Sequence, residues 1–521
     1  MKNISALITF WSNLFIVIIF FSHHSLSASN CVIVNSIEIN NINKYIDIKT
    51  NKATEKYLGK CINISDIKNI VRNITNLYID MGYITTKIVL PEQDLSSGTL
   101  KLKVVKGYIE AIDIENKHRL IPAFIPLKAN KILSLRDIEQ TYDHYSRISS
   151  NDVNITIKPG KKTGSSRIFI INKPRRRWKV KTGIDNSGSK HKGEILSYTN
   201  LFVENFLGYN ELYLFSVKSS LDDPDVRYTN SKSFYFSVPF EYCDLSYQYD
   251  FSKNRSFIES NNKKYRNSGA STVYKVDLSR ILHRDRKSKT LISTGFGHDI
   301  YSNYLDDSKI QISSYKIHKI NFGLSYQGRL SESVLSTSLS ITSGINKGFF
   351  SKFGNISVPN KKFSKINLNV SWFKPTPVVI ANRNVQFRSV FSAQYSPDML
   401  ASSEKFSLGG NSSIRGFKEN RENSDNALQL RNEIIAFLPQ RESKLYQKFF
   451  GDISTFIAFD IGYLSNYEEQ TERRGTLSAT AVGVRNNSGI FDFDIVISRP
   501  LQTTHNFKHK NIIYFSFGIN I

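Results

Sequence analysis

The chain has 521 residues, a formal net charge of +25, a mean hydropathy of −0.31, 12% aromatic residues and three cysteines. A chain of this length holds one large domain with one or two small ones, and so few cysteines exclude a disulfide-built scaffold. No apolar stretch after residue 30 reaches the ~18 residues a transmembrane helix needs, which leaves a closed barrel as the only membrane span open to it, and the alternating strands of a barrel average to just such a polar hydropathy.

At the N-terminus Lys2 precedes an apolar run from Ala6 to Phe21, and small polar residues follow through Ser29. This is the layout of a secretory signal peptide, set at residues 1–28, with Ser25-Leu26-Ser27 or Ser27-Ala28-Ser29 as the small-x-small cleavage site. Asn30 before Cys31 argues against lipoprotein processing. In an oxidising compartment beyond the inner membrane Cys31 and Cys61, which bracket one short segment, can pair, leaving Cys243 alone. Export and the scatter of the lysines turn the positive charge away from nucleic acid, toward a lumen lining, outer-membrane lipid or an acidic client.

Before Pro174, segments of helical and strand period alternate. Val32 to Ile39 is extended. Ser65 to Met81 is helical, with Ile67, Ile70, Val71, Ile74, Leu77 and Tyr78 on one face and Ser65 as its N-cap. Thr85 to Leu90 and Thr99 to Val105 are strands separated by Pro91-Glu92-Gln93-Asp94 and closing at Lys106-Gly107. The pattern returns in shorter form: Ile109 to Ile114 extended, Ser134 to Ile148 helical with Leu135, Ile138, Tyr142 and Tyr145 on one face, then Val153 to Ile157 and Ser166 to Ile171 extended. Two small α/β units in tandem, 29–107 and 108–173, follow from this repeat.

After Pro174 the helical period gives way to strict alternation. In Lys365-Ile366-Asn367-Leu368-Asn369-Val370-Ser371-Trp372 one face is Lys, Asn, Asn, Ser and the other Ile, Leu, Val, Trp. The same pattern marks Lys319 to Tyr326, Phe491 to Ser498 and Ile513 to Ile521. A soluble β-sandwich also alternates, but it does not usually follow an export signal with so long a series of such strands. The stretch from Trp178 to Ile521, at about 21 residues per strand and connection, makes room for roughly sixteen strands. The fold class is thus α+β domains followed by an all-β transmembrane barrel over 174–521, with a bore wide enough for an extended chain. Within it, Ser412-Ser413-Ile414-Arg415-Gly416-Phe417 puts an arginine between apolar neighbours and a glycine, which predicts a loop at about 405–425 folded back into the lumen.

Several blocks together carry a family resemblance. Cys61-Ile62-Asn63-Ile64-Ser65-Asp66-Ile67, Tyr78-Ile79-Asp80-Met81-Gly82-Tyr83, the run Leu90-Pro91-Glu92-Gln93-Asp94-Leu95 with Ser96-Ser97-Gly98, and Val105-Lys106-Gly107 resemble the first periplasmic POTRA domain of the two-partner secretion transporters, the haemolysin secretion/activation family. The likeness continues through Ser150-Asn151-Asp152-Val153, Asp185-Asn186-Ser187-Gly188, Leu207-Gly208-Tyr209-Asn210-Glu211-Leu212, Ile414-Arg415-Gly416-Phe417, Arg431-Asn432-Glu433 and Ser498-Arg499-Pro500-Leu501, so it spans essentially the whole exported chain.

The resemblance implies a monomeric outer-membrane protein with periplasmic POTRA domains. Its partners would be outer-membrane lipid and one large exoprotein carrying an N-terminal secretion domain, of haemolysin or adhesin type, which it recognises, translocates to the surface and activates if the client requires it. The POTRA block Leu90 to Leu95 is implied as client-binding. The arginine of the lumenal loop is implied to pair with an aspartate on the barrel wall, here Asp460 in Ala458-Phe459-Asp460-Ile461-Gly462, although Ala458 departs from the usual Phe or Gly. Alternation supports this independently: Ile457, Phe459, Ile461 and Tyr463 make the apolar face, which turns Asp460 to the lumen. The short interval before Val32 leaves no room for the helix with which some relatives plug the bore.

Lys173-Pro174-Arg175-Arg176-Arg177-Trp178-Lys179 fits a periplasmic rim with Trp178 in an aromatic girdle better than a nucleic-acid patch. Gly295-Phe296-Gly297 lacks the third glycine and helix of a dinucleotide site. His298 and His318 look isolated. Without a Gly-x-Ser-x-Gly elbow, a His-Glu-x-x-His pair or a Cys/His cluster at zinc spacing, neither enzymatic activity nor a metal or cofactor is expected. The alternative function is membrane-protein assembly, as in the wider POTRA–barrel superfamily, but such proteins would be expected to carry more POTRA repeats.

Overall fold

The computed structural model describes residues 31–41, 44–115, 124–260, 262–345, 362–380, 383–439, 443–465, 475–486, 488–503 and 510–521. The predicted signal peptide lies outside them. No helix among the described residues is long and apolar enough to cross a membrane; the long elements are strands.

Residues 31–108 with 161–166 form one compact unit. Val32–Val34 pairs antiparallel with Lys60–Ile62, and the Cys31–Cys61 disulfide ties the same edge. Ser36–Asn40 runs parallel to Thr99–Val105, whose other side pairs with Lys87–Val89. The helix Ile64–Asp80 buries Ile67, Ile70, Ile74 and Tyr78 against Leu100 and Leu102 of that sheet. Its N-cap is Asn63 and not Ser65. Asn63 is extended and accepts from the Asp66 amide, while the Asn63 amide donates to the Asp66 carboxylate, so the helix starts two residues earlier than an isolated serine would suggest. A helix at Lys44–Thr54 precedes it and was not predicted: among its described side chains Thr50 and Thr54 are the buried ones and Ile48 is exposed, so these positions carry no apolar stripe.

The second unit comprises 109–160 and 167–521. Its α/β part carries a three-stranded sheet in the order Tyr108–Glu115, Ser165–Asn172, Val153–Pro159. The helix Leu135–Ser146 is capped by Ser134, whose hydroxyl accepts from the Arg136 amide. Its buried face differs from the predicted one. Tyr142 is exposed, whereas Gln140, Thr141 and His144 are buried beside Ile138 and Tyr145, because the helix packs against the barrel as well as its own sheet.

Sixteen long strands close the barrel among the described residues: β1 Trp178–Asp185, β2 Leu196–Glu204, β3 Leu212–Ser220, β4 Tyr228–Phe240, β5 Cys243–Ser260, β6 Lys263–Arg284, β7 Ser288–Leu305, β8 Tyr315–Leu330, β9 Ser333–Ile345, β10 Ser364–Ile380, β11 Arg383–Tyr395, β12 Asn426–Phe437, β13 Ile453–Ser465, β14 Gly475–Asn486, β15 Phe491–Gln502 and β16 Ile512–Asn520. Neighbours in sequence pair antiparallel, and β16 closes on β1 from Ser516↔Asp185 to Asn520↔Lys181. Asn186 prolongs this closure. Its side-chain amide donates to the Ile513 carbonyl and accepts from the Phe515 amide, imitating one more peptide unit in the ladder.

Alternation sorts the wall into two faces. On β13, Ile457 and Phe459 are 65% and 42% exposed outward, while Phe456, Ala458 and Asp460 are buried inside. His298 and His318 are not isolated: the β7–β8 register sets them directly opposite each other, with rings stacked at 4.4 Å, on the parity of the outward Ile292 and Phe322. Trp178 is half-exposed with the Arg176 guanidinium over its ring.

Candidate functional site: the lumenal loop and its wall partners

The connection from β11 to β12, residues 396–425, turns into the barrel. Phe406–Leu408 and Glu422–Ser424 pair as a short hairpin arm. Beyond it Gly409 and Gly410 take φ values of +116° and +94°, which a side chain would strain, and they bend the chain into the tip. Gly416 is demanded by close approach: a Cβ there would stand 2.8 Å from the Ala479 Cβ and 2.9 Å from the Pro500 Cα.

At the tip Arg415 is only 1% exposed and is met on every side. Its Nε and Nη2 donate to the two carboxylate oxygens of Asp460 at 2.7 Å each, a fork-to-fork geometry that a lysine cannot make. Its backbone amide adds a bond to the same carboxylate at 3.2 Å. Nη1 donates to Glu433 at 2.8 Å, and the other oxygen of Glu433 accepts from Arg485 at 2.8 Å. The Arg415 carbonyl accepts from the hydroxyls of Ser498 and Tyr514, so β12 to β16 all hold the tip directly or through Glu433. Ile414 and Phe417 flank the arginine in an apolar nest with Leu408, Leu464 and Leu477. Gly462 faces this nest, with room for a Cβ only at 3.1 Å from Leu408 and 3.3 Å from Ile414.

Asp460 was anticipated from alternation. Glu433, Arg485 and Tyr514 were not. The block Arg431-Asn432-Glu433, which holds both charged residues of its strand, was the available signal for Glu433, and the Arg431 guanidinium donates to the Ser412 and Asn411 carbonyls of the loop. The tip also reaches the first hairpin: Lys418 pairs with Glu194 at 2.6 Å, and Glu419 accepts from the Lys190 amide.

A second set of sequence blocks converges elsewhere. Glu204, buried at the end of β2, accepts from the Ser150 amide at 2.6 Å and the Ser149 hydroxyl at 3.0 Å. Asn151 donates to Asn210, which in turn donates to the His144 carbonyl. Glu211 accepts from the Leu207 and Tyr209 amides and so shapes the turn that presents Asn210. The Ser150-Asn151 and Leu207–Leu212 blocks therefore form one polar seam between the α/β part and the barrel rim. Burial pushes the His144 imidazole down to about 4, with Arg147 and Arg284 reinforcing the shift and Asp143 opposing it. The neutral ring bonds the Gln140 amide at 2.8 Å.

In the first unit, Leu90 to Leu95 join Lys87–Val89 to Thr99–Val105. Gln93 bonds the Lys101 backbone amide and carbonyl at 2.7 Å each, Asp94 caps Ser96, and Leu95 packs on the core. The block is thus a fixed ledge beside a three-residue edge strand.

An apolar exterior, a polar interior, α/β domains on the N-terminal side and a loop latched within the bore define an outer-membrane β-barrel transporter with periplasmic POTRA domains. The POTRA domain, ShlB-type, is matched over 32–107, a further POTRA domain over 108–159, and the haemolysin secretion/activation protein ShlB/FhaC/HecB family over 164–486. The chain belongs to this family of two-partner secretion outer-membrane transporters. It is 30% identical to the outer membrane transporter CdiB of Escherichia coli over 483 residues, 90% of this chain and 79% of the relative. It is 26% identical to the hemolysin transporter protein HpmB of Proteus mirabilis over 382 residues, 72% of this chain and 67% of the relative. The solved structure of CdiB from Escherichia coli superposes with a TM-score of 0.86 at 28% identity, covering 96% of this chain and 92% of that one. The barrel accordingly resides in the outer membrane with the POTRA domains in the periplasm, and family members are transporters, not enzymes.

Proposed function

We propose that the protein, as a monomer, captures one large exoprotein by an N-terminal secretion domain and passes it in extended form to the cell surface. The client is of haemolysin or adhesin type, and a cytolysin is activated on passage. In this reading residues 29–107 and 108–173 are the capture domains, 174–521 the conduit, and Leu90, Pro91, Glu92, Gln93, Asp94 and Leu95 part of the capture surface. Ile414, Arg415, Gly416 and Phe417 are the gate, and Asp460 and Gly462 its seat. What carries the reading is the buried fork between Arg415 and Asp460: a barrel meant to stand open has no use for a desolvated arginine latch in its bore. Such a pair is firm yet releasable, because the Coulomb gain is largely offset by desolvation. The test is secreted client in culture supernatant against heat-modifiable barrel in the outer membrane for Arg415→Ala. A strong loss of secretion with normal barrel is expected; full secretion would show the loop to be dispensable.

A further inference from the structure

The lumenal loop is held at a second place, remote in sequence from its tip. Glu404, where the chain enters the loop, is 3% exposed. Its carboxylate accepts from Lys319 of β8 at 2.8 Å and pairs with Lys365 of β10 at 2.9 Å. Its backbone carbonyl accepts from Lys365 again at 2.8 Å and from Gln394 of β11 at 3.1 Å. Lys319 is in turn held by Asp299 of β7 at 2.7 Å. On the returning arm Gln394 also donates to the Asp425 carbonyl at 3.1 Å, and the Asp425 carboxylate accepts from the Leu400 amide at 2.9 Å and lies 3.4 Å from Lys405.

Three carboxylates and three ammonium groups therefore balance one another at the loop's root. Gln394 bridges the two arms there, with the hairpin Phe406–Leu408 and Glu422–Ser424 rising from it. None of these groups is a partner of Arg415, Asp460 or Glu433, so breaking the tip leaves these root contacts in place.

We infer that the loop is a hinged gate, with Glu404 the positioning residue that fixes its root to Lys319 and Lys365 while the Arg415 tip alone is released. This rests on the proposed translocation reading for its purpose but not for its geometry. Passage of a client would unlatch Arg415 and swing the tip about the Gly409–Gly410 bend. The root would stay bound at the extracellular ends of β8, β10 and β11, so that the latch re-forms afterwards.

Thiol accessibility tests this on the full chain in isolated outer membranes, with Cys243→Ser removing the one free cysteine among the described residues. Ser413→Cys reports the tip and Ser424→Cys the root arm; both serines are buried. Adding Arg415→Ala should raise maleimide labelling at position 413 by at least about tenfold and leave position 424 protected, as expected for a local opening. Adding Glu404→Gln should expose position 424, and Lys365→Gln serves in its place if that barrel does not become heat-modifiable. Joint exposure of both positions on Arg415→Ala would overturn the hinge, since a general loosening would look the same. Continued protection of position 424 in folded Glu404→Gln and Lys365→Gln barrels would overturn the role of Glu404. No client is present in the assay, so normal secretion by Arg415→Ala would sink the translocation reading without touching the hinge.

Discussion

Arg415 has two carboxylate partners with different connections, and that asymmetry predicts how the latch fails. Asp460 receives three donors from Arg415 itself, whereas Glu433 divides its oxygens between Arg415 and Arg485. Removing one member of a buried pair strands the other and costs about 3–5 kcal/mol. Asp460→Ala should therefore release the tip about as fully as Arg415→Ala, and the double variant should secrete little worse than either single one, as for a unit with strong coupling. Glu433→Gln keeps a hydrogen-bond acceptor for Arg415 and should weaken the latch by only about 1–2 kcal/mol. Secreted client scaled to barrel content checks the order; strictly additive losses at 415 and 460 would mean that the two residues act in separate places.

Among elements, the helix Leu135–Ser146 has the most specific environmental dependence. His144 is buried beside Gln140, Asp143, Arg147 and Arg284, and its folded value of about 4 lies below the ordinary 6.5. The undocked helix therefore binds more protons between these values than the docked one. The docking is full above pH 6.5 and is lost progressively as pH falls toward 4, by up to about 3 kcal/mol. Hydrogen exchange of the helix amides at pH 7 and pH 5 should show reduced protection at the lower value, and His144→Gln should flatten the difference; equal protection at both values would show His144 to be uncoupled from docking. Elements of this kind also mark how far the sequence could be read. The alternation at Lys365–Trp372 was legible because water and lipid each demand one face, and Ile64–Asp80 because its buried face is apolar. Lys44–Thr54 was not, since the buried positions among its described side chains are threonines, Thr50 and Thr54. The seam was present in the sequence as two separate motifs, Ser150-Asn151 and Leu207–Leu212, but no local pattern says that they touch. Asp460 followed from alternation within a single strand; Glu433, Arg485 and Glu404 required the register of neighbouring strands, which periodicity alone does not supply.

At the scale of the whole molecule, the two compact units differ in how they are maintained. Residues 32–107 close their own aliphatic core around Ile70, Ile74, Leu100 and Leu102 and carry the Cys31–Cys61 bond. The barrel relies instead on its closed ladder and on the charge networks of its bore, and the second POTRA is tied to its rim through Glu204, Asn210 and Arg284. None of the interactions just named involves residues 32–107. Deleting these residues should thus leave a heat-modifiable barrel at near wild-type level in the outer membrane while removing the edge strand and the Leu90–Leu95 ledge, where an extended client segment could add by main-chain hydrogen bonds. Secretion should then fall to background, because a latched bore without a capture surface has nothing to deliver a client to the tip. Normal export by the truncated protein would assign recognition to the second POTRA or to the barrel mouth, whereas loss of the barrel itself would mean that the first POTRA is needed for assembly and not for capture.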